Sequence, residues 1–180
     1  SLQRVELFGF MGSTAESYSI DLSYSGNQWA GVIDYFRNQS SNYASEFIIP
    51  YCNSTYSGTN PSYLLDGSRD FSTSNSNSYY FMFTLKQNQL IINGYTFKAD
   101  QSWNWWPRYW KLEGSSDNSN WTVLHKVDNE TELNSSGKEK TFTFDNEKPF
   151  KYFKFTLTNT SNGGNWYFAL RRVELFGIII

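Results

Sequence analysis

The sequence of 180 residues is short of both cysteine and histidine, with one of each. The single Cys52 excludes an intramolecular disulfide, and because small secreted domains usually carry several, we expect a reducing compartment. His125 lies in an alternating segment, and the chain has no nucleophile elbow, phosphate-binding loop, dinucleotide fingerprint or HExxH motif. A lone histidine on a strand is far more often structural than catalytic, so the sequence predicts a protein that is not an enzyme.

Charge of one sign and long apolar runs are also missing. Lys and Arg number 15 against 17 Asp and Glu, which leaves neither a basic face for nucleic acid nor a polybasic patch for an anionic membrane. No run approaches the roughly 18 apolar residues of a membrane span, and no signal-peptide core opens the sequence. We expect a cytoplasmic or cytoskeleton-associated location. A cell-surface location stays open, because an excised fragment would also lack a signal.

Aromatic residues are abundant instead, at 19% of the chain, in short runs bounded by Asn, Ser and Gly. Aromatic and β-branched residues favour strands, whereas Asn, Ser and Gly favour turns. Seven strand candidates follow at regular spacing, over residues 79–85, 90–99, 108–115, 121–127, 141–144, 152–159 and 167–176. This pattern predicts one all-β domain over residues 1–180, built as two packed antiparallel sheets.

The upstream part of the chain is less regular. Residues 28–37 place Trp29, Val32, Ile33 and Phe36 at helical intervals, which predicts one short amphipathic helix. Residues 47–50 read as a short strand stopped by Pro50. The sequence therefore predicts one helix and one strand ahead of the main series of strands.

One hexamer, Arg-Val-Glu-Leu-Phe-Gly, occurs twice, at residues 4–9 and 172–177. Both copies alternate like half-buried strands. In one interpretation the first copy is the closing strand of a preceding domain in a tandem array. In the other, the N- and C-terminal strands lie side by side and need similar side chains. The sequence leaves both interpretations open.

An ordered series of motifs resembles the discoidin, or factor V/VIII type C, family of galactose-binding-like domains. The motifs are Tyr-Leu-Leu-Asp-Gly at 63–67, the strand at 79–83, Asn-Gly-Tyr-Thr-Phe at 93–97, the stretch 110–121, and the closing segments 150–155 and 172–177. The resemblance covers roughly residues 60–177. It implies a jelly-roll β-sandwich of about eight strands that binds ligands through loops at one end and is almost never catalytic.

Some sugar-binding members of this family hold calcium beside their ligand loops. The resemblance places the matching ligands at Asp66, Asp70, Ser72 and Glu174. Calcium takes six to eight oxygen ligands, so carboxylates and loop carbonyls suit it. In the competing interpretation, Asp66 and Gly67 form an ordinary turn. Glu174 is then the outward residue of an alternating strand.

Candidate ligand-binding residues cluster in two loops. The first loop lies between two predicted strands and carries Trp103, Trp105 and Trp106 beside Arg108. The second is a Ser/Asn/Gly-rich segment that ends at Asn165 and Trp166. Indole rings stack on sugar faces or fill pockets in protein partners. We expect at least one of the first three rings to be buried and at least one to be exposed.

Two functions remain at this stage. The first is a non-catalytic recognition module that binds a glycan or a partner protein through its aromatic and polar loops. The second is an intracellular scaffolding subunit of a cytoskeletal or ciliary assembly, docking through protein–protein contacts, with tandem copies as one arrangement.

Overall fold

Two antiparallel β-sheets packed face to face form the body of the protein. The computed structural model describes residues 18–40 and 44–180. The elements are β1 (Ile20–Leu22), α1 (Val32–Gln39), β2 (Ile48–Cys52), α2 (Tyr63–Asp66), β3 (Phe71–Ser72), β4 (Tyr80–Leu85), β5 (Leu90–Ala99), β6 (Trp110–Ser115), β7 (Thr122–Val127), β8 (Glu139–Thr143), β9 (Tyr152–Leu157) and β10 (Ala169–Ile179). The hexamer at residues 4–9 lies outside the described residues.

The strand order confirms the predicted β-sandwich. The first sheet runs β1-β10-β5-β8, with β3 also pairing with β10, and the second runs β2-β4-β9-β6-β7. All pairings are antiparallel within the described ranges. The described part of the chain forms ten strands, which include two very short ones, β1 and β3, beyond the eight expected. None of the helices described here is long and apolar enough to cross a bilayer.

Alternation along the strands builds an aromatic core between the sheets. Phe81 and Phe83 of β4 and Phe153 and Phe155 of β9 are fully buried, and one residue separates the two phenylalanines in each strand. The rings of Phe81 and Phe155 stack with centroids 5.0 Å apart. Burying each such side chain contributes roughly 1.5–3 kcal/mol, so these two strands carry much of the sandwich's stability.

Helix α1 covers one margin of the sandwich. Val32, Ile33 and Phe36 are buried as the spacing predicted, but the helix begins at Val32 and not at residue 28. Trp29 lies ahead of it, with the Arg172 guanidinium 4.2 Å from its ring centroid. The residue before the helix, Gly31, supplies no side-chain cap. The cap comes instead from the Glu174 side chain in β10.

Pro50 does not stop β2, which was expected to end there. The strand continues to Cys52 and pairs with β4 throughout. In the strand order β2 is an edge strand with one neighbour. Proline is tolerated in such a position because the missing N–H can face away from the paired side.

The lone histidine and the lone cysteine have structural partners. The Tyr95 hydroxyl lies 2.9 Å from His125 Nδ1 and accepts a hydrogen bond from Trp110 Nε1 at 2.8 Å. The His125 ring also stacks on Phe144, and burial lowers its pKa. Cys52 Sγ donates to the Ser54 carbonyl at 3.1 Å. Both residues therefore serve the packing of the sandwich.

Candidate functional site

Five loops meet at one end of the sandwich. The end of β9 lies beside the start of β6, where Leu157 pairs with Trp110, and the end of β5 lies beside the start of β8, where Lys98 pairs with Glu139. The loops here are residues 53–62, 73–79, 100–109, 128–138 and 158–168. We call this the aromatic end. Loops at the ends of a rigid sandwich are the usual place for binding residues.

Three rings from two of these loops form a stack. Trp103 and Trp105 lie nearly parallel, with centroids 5.1 Å apart and an angle of 10°. Trp105 stacks in turn on Tyr167, at 3.9 Å and 16°. Tyr56, from a third loop, stands edge-on to all three rings at 5.2–5.6 Å. Offset and edge-to-face contacts of this kind each add about 0.5–1.5 kcal/mol beyond burial, so the stack holds the three loops together.

The order of the stack gives its rings different roles. Trp105 lies between Trp103 and Tyr167, so both of its faces are covered by protein. Trp103 and Tyr167 are the outer rings of the stack, and both are partly buried. A ligand could therefore stack on an outer ring but not on Trp105.

Two buried aspartates anchor the loop that carries the tryptophans. Asp100 Oδ2 accepts the Trp103 backbone N–H at 2.6 Å. Asp70 accepts the Gln101 backbone N–H at 3.0 Å through Oδ1, and the Ser102 hydroxyl through Oδ2. Carboxylate acceptors make stronger hydrogen bonds than neutral ones. These hydrogen bonds thus fix the position of residues 101–103, at the start of the loop.

The carboxyl group of Asp100 lies in an electrostatically unfavourable environment. Asp100 is fully buried, and its Oδ1 has no hydrogen-bond partner among the residues that the structure describes. Burial raises the pKa of Asp100 to about 7, with the nearby charge of Asp70 acting in the same direction. Arg171 lies 3.5 Å from Asp70 and offsets that charge in part. The floor of the aromatic end therefore contains a carboxyl group that titrates near neutral pH.

Two asparagine side chains hold the loop 158–168 in shape. Asn165 Oδ1 accepts the Ser161 hydroxyl at 2.7 Å and the Tyr167 backbone N–H at 3.2 Å. Asn75 Oδ1, from another loop, accepts the Trp166 N–H at 2.8 Å. The Trp166 side chain packs against the core. Of the two residues predicted here as ligand contacts, Asn165 shapes its loop and Trp166 faces inward.

The remaining predicted contacts also have protein partners. Trp106 Nε1 donates to the Asp100 carbonyl at 3.3 Å. The Arg108 guanidinium donates to Asn129 and lies 5.7 Å from the Tyr109 ring centroid. Arg108 is therefore bound to the loop 128–138 and is not part of the stack. The expected division of the three tryptophans into buried and exposed rings is not found, because all three are partly buried.

The four residues predicted to bind calcium do not form one site. Glu174 is fully buried and accepts backbone N–H groups from Ile33 at 2.7 Å and Asp34 at 3.2 Å. The Ser72 hydroxyl donates to the Thr73 carbonyl at 2.9 Å. Asp66 is exposed and accepts the Ser68 N–H, and the described residues include no group of three or more His, Cys, Asp or Glu placed to hold a metal.

The competing interpretation needs correction in one respect. Glu174 is not an outward residue, because it is buried and its carboxylate caps helix α1. Both oxygens of Asp70 accept hydrogen bonds from the tryptophan loop. Calcium binding by the chain stays a prediction, for which a calcium titration with and without EDTA is the direct measurement.

Tyr56, Tyr167, Asn75 and Asp100 are the residues of the aromatic end that the sequence did not single out. Tyr56 lies in a loop otherwise rich in Ser, Thr and Asn, and Tyr167 follows Trp166 directly. The signal available in the sequence was an aromatic residue inside a polar loop. A large apolar ring in such a loop is expected to pack against another part of the protein rather than stay exposed to solvent.

Two clefts lie at the opposite end of the sandwich. One, of about 360 Å³, is lined by Ser23, Tyr24, Asn93, Thr143, Phe144 and Asp145. Another, of about 420 Å³, is lined by residues 122–124 and 145–148. Neither contains an aromatic stack. A third, of about 310 Å³, lies at the aromatic end and is lined by Thr131, Glu132, Asn134, Lys138 and Glu139.

Solved structures with this fold include carbohydrate-binding modules. A CBM32 module from Clostridium perfringens, solved in complex with GalNAc-β-1,3-galactose, is 16% identical, covers 72% of this chain and 95% of its own, and gives a TM-score of 0.58. A fucose-binding module from Streptococcus pneumoniae is 18% identical, covers 72% and 90%, and gives 0.55. At these identities the likeness establishes the fold.

Sequence comparison gives a relative and a family. A BTB/POZ domain-containing protein of Arabidopsis thaliana is 26% identical over 167 residues, 88% of this chain. The chain spans about a fifth of the length of that relative. The F5/8 type C domain family matches residues 49–172, which include both loops of the stack. The resemblance of the motifs is thereby confirmed, and the chain belongs to the F5/8 type C, or discoidin, domain family.

Proposed function

We propose that the chain is a non-catalytic module that binds a carbohydrate at the aromatic end. The observation that carries this proposal is the partly exposed stack of Trp103, Trp105 and Tyr167, held edge-on by Tyr56. A sugar ring presents an apolar C–H face that packs on an indole, and hydroxyls that need hydrogen-bond partners. The fold neighbours solved with GalNAc-β-1,3-galactose and described as fucose-binding support the same ligand class.

Trp103 is the ring on which the sugar stacks. It is an outer member of the stack and begins the loop that Asp100 and Asp70 hold in place. Exposed amides lie close by, at Asn104 of the same loop and Asn162 of the next. The Asn162 backbone N–H donates to the Trp106 carbonyl at 2.9 Å, which joins the two loops. Exposed amide side chains suit the hydroxyl groups around a sugar.

The charges at this end favour a neutral sugar over an acidic one. Asp70, together with Asp100 once it is ionised, puts negative charge beneath the loop. Two arginines that could attract a carboxylate are already engaged, Arg171 with Asp70 and Arg108 with Asn129. A sialic acid or uronic acid would meet the charge of the aspartates, while both of these arginines are already engaged. Neutral hexoses and N-acetylhexosamines are therefore the expected ligands.

The experiment is a glycan-array screen followed by titration of neutral and acidic sugars, read by tryptophan fluorescence and calorimetry. Trp103→Ala should weaken binding at least tenfold, which corresponds to losing about 1.4 kcal/mol. Trp121→Ala is the matched control, because Trp121 lies ahead of β7 at the opposite end, with Lys154 3.8 Å from its ring centroid. That variant should bind like the wild type.

Two results would overturn the proposal: no glycan changes the fluorescence, or Trp103→Ala binds as well as the unsubstituted chain. Preference for acidic glycans would overturn the neutral-sugar assignment while leaving the site in place. The scaffolding alternative receives no support from the comparisons.

A further inference from the structure

One row of side chains crosses the outer face of the second sheet from edge to edge. The register places five residues opposite one another across β2, β4, β9, β6 and β7: Tyr51, Met82, Lys154, Glu113 and Val123. Opposed residues of adjacent strands point to the same side of a sheet. Phe81 and Phe153, which flank the row in β4 and β9, are fully buried in the core, so the row points outward. We call it the cross-strand row.

Both ends of the cross-strand row are apolar and exposed. Tyr51 is 45% exposed and Val123 is 55% exposed. Ile49, two residues from Tyr51 on the same face of β2, is 47% exposed. An antiparallel sheet with one face in the core normally presents polar residues on its other face. Apolar groups at both ends of this row are therefore typical of an interaction surface.

The centre of the row is a lysine held between aromatic rings. Lys154 Nζ lies 3.8 Å from the ring centroid of Trp121 and 5.7 Å from that of Tyr80. The Lys154 side chain is 18% exposed, much less than either end of the row. Attraction between an ammonium group and the face of a ring holds the charge in place. The middle strand of the sheet thus presents a positive charge at a defined position.

This face has more positive than negative charge. The strands of the sheet carry Lys111, Lys126 and Lys154 but one acidic residue, Glu113. Glu113 lies 2.8 Å from the Lys111 ammonium and 3.3 Å from that of Lys154, so one carboxylate serves two lysines. Lys126 pairs with Asp128, just beyond β7. Three lysines against two carboxylates leave a surplus positive charge, although the net charge of the whole chain is -2.

The open edge of β2 does not favour docking by an added strand. The Lys86 N–H donates to the Phe47 carbonyl, and the Asn53 N–H donates to the Tyr80 carbonyl, so the odd-numbered residues bond towards β4. The even-numbered residues then face the open side, because backbone groups alternate along a strand. The middle one is Pro50, which has no N–H to donate. The outer face is therefore the better contact surface.

We propose that the cross-strand row binds an extended segment of a partner protein that carries one carboxylate between two apolar side chains. The four spacings between the five strands make the row about 19 Å long, which an extended segment of about six residues spans. The carboxylate lies against Lys154 at the middle of the row, where the surplus charge is. The apolar side chains cover Tyr51 at one end and Val123 at the other.

This surface is separate from the aromatic end. Trp103 lies in the loop that follows β5, whereas the row lies within the strands of the other sheet. A segment bound along the row leaves the stack of Trp103, Trp105 and Tyr167 uncovered. The module can therefore hold a glycan and a partner protein at the same time.

The test is selection of a displayed library of random peptides on the immobilised chain, followed by titration of the enriched peptides by fluorescence anisotropy. We expect enriched peptides with an aspartate or glutamate two or three residues from an apolar residue on each side. Lys154→Met should weaken their binding at least tenfold, because it removes the central charge. Glu113 keeps Lys111 as its partner in that variant. No enrichment, or enriched peptides without a common acidic position, would overturn the proposal.

A double variant tests the apolar ends. Tyr51→Ser with Val123→Thr replaces two exposed side chains, so it should weaken peptide binding at least tenfold and leave the midpoint of urea denaturation unchanged. Tyr18→Ser is the matched control, because Tyr18 is 82% exposed and lies outside the row. Unchanged peptide binding by the double variant or by Lys154→Met would contradict the site. Binding of the chain to phosphatidylserine vesicles that is lost in Lys154→Met would assign the face to a membrane and overturn the proposal.

Discussion

The carboxylate of Glu174, in β10, accepts the backbone N–H of Ile33, in the first turn of α1, at 2.7 Å. The two residues are 141 positions apart, and the bond supplies the helix cap that Gly31 cannot provide. The same carboxylate accepts the Asp34 and Leu175 N–H groups. It thus joins the helix to the last strand and satisfies donors that would otherwise be buried without partners.

Replacing this cap should destabilise the protein. Glu174→Ala leaves the Ile33 and Leu175 N–H groups buried without an acceptor, which should lower the free energy of unfolding by about 3 kcal/mol. Urea denaturation measures the change. Glu132→Ala is the control, since Glu132 is exposed and its ion pair with Lys140 contributes little. Equal costs for the two variants would contradict the capping role.

The two tryptophans of the stack should separate stability from binding. Trp105→Ala removes the ring that contacts both Trp103 and Tyr167, so it should cost about 2 kcal/mol in unfolding free energy. Trp103→Ala removes an outer ring with fewer ring contacts and should cost less than Trp105→Ala. Chemical denaturation of both variants checks the difference. A larger cost at Trp103 would mean that Trp105 is not the central ring.

The stability of the protein should depend on pH through Asp100. Its pKa is raised to about 7 in the folded state from 3.8, so the stabilising contribution is fully present below pH 3.8 and is lost as the pH rises through 7. Asp100→Asn should remove this loss, which is of the order of 4 kcal/mol. Thermal unfolding from pH 4 to 9 gives the comparison. Parallel pH profiles for the two proteins would show that Asp100 is already ionised at low pH.

The thiol of Cys52 should react slowly in the folded protein. Burial raises its pKa to about 11 from 9.0, and the S–H donates to the Ser54 carbonyl. At pH 8 the thiolate fraction, and with it the rate of reaction with a disulfide reagent, should be about a hundredfold lower than in the chain unfolded by urea. Equal rates would indicate that the thiol is exposed.

Much of the sandwich could be predicted because it depends on local pattern. The strands β4, β5, β7 and β9 were found from alternation and from turn residues between them. The short β1 and β3 have two or three residues each and show no period to detect. Pro50 was misjudged because its tolerance depends on β2 being an edge strand, and strand order is not a local property.

The site was harder to predict than the strands. The tryptophans could be located because they lie between two predicted strands. The direction of each side chain, however, depends on partners that are distant in the sequence. Arg108 turns to Asn129, 21 residues away, and Tyr56 reaches Trp103 from a different loop. Asp70 and Glu174 carry the residue types of a metal site, yet their oxygens meet backbone donors. Contacts of this kind exist only once the sheets have packed.

The hydroxyl of Tyr95 has a consequence for how the aromatic end keeps its shape. Tyr95 belongs to β5 in one sheet, and its partners Trp110 and His125 belong to β6 and β7 in the other. Apolar faces alone would tolerate sliding past one another, whereas a shared hydroxyl fixes one sheet against the other. The tryptophan loop joins β5 to β6, so the gap it spans is set in the interior. The shape of the aromatic end is therefore set when the protein folds, and the loops should rearrange little when a ligand binds.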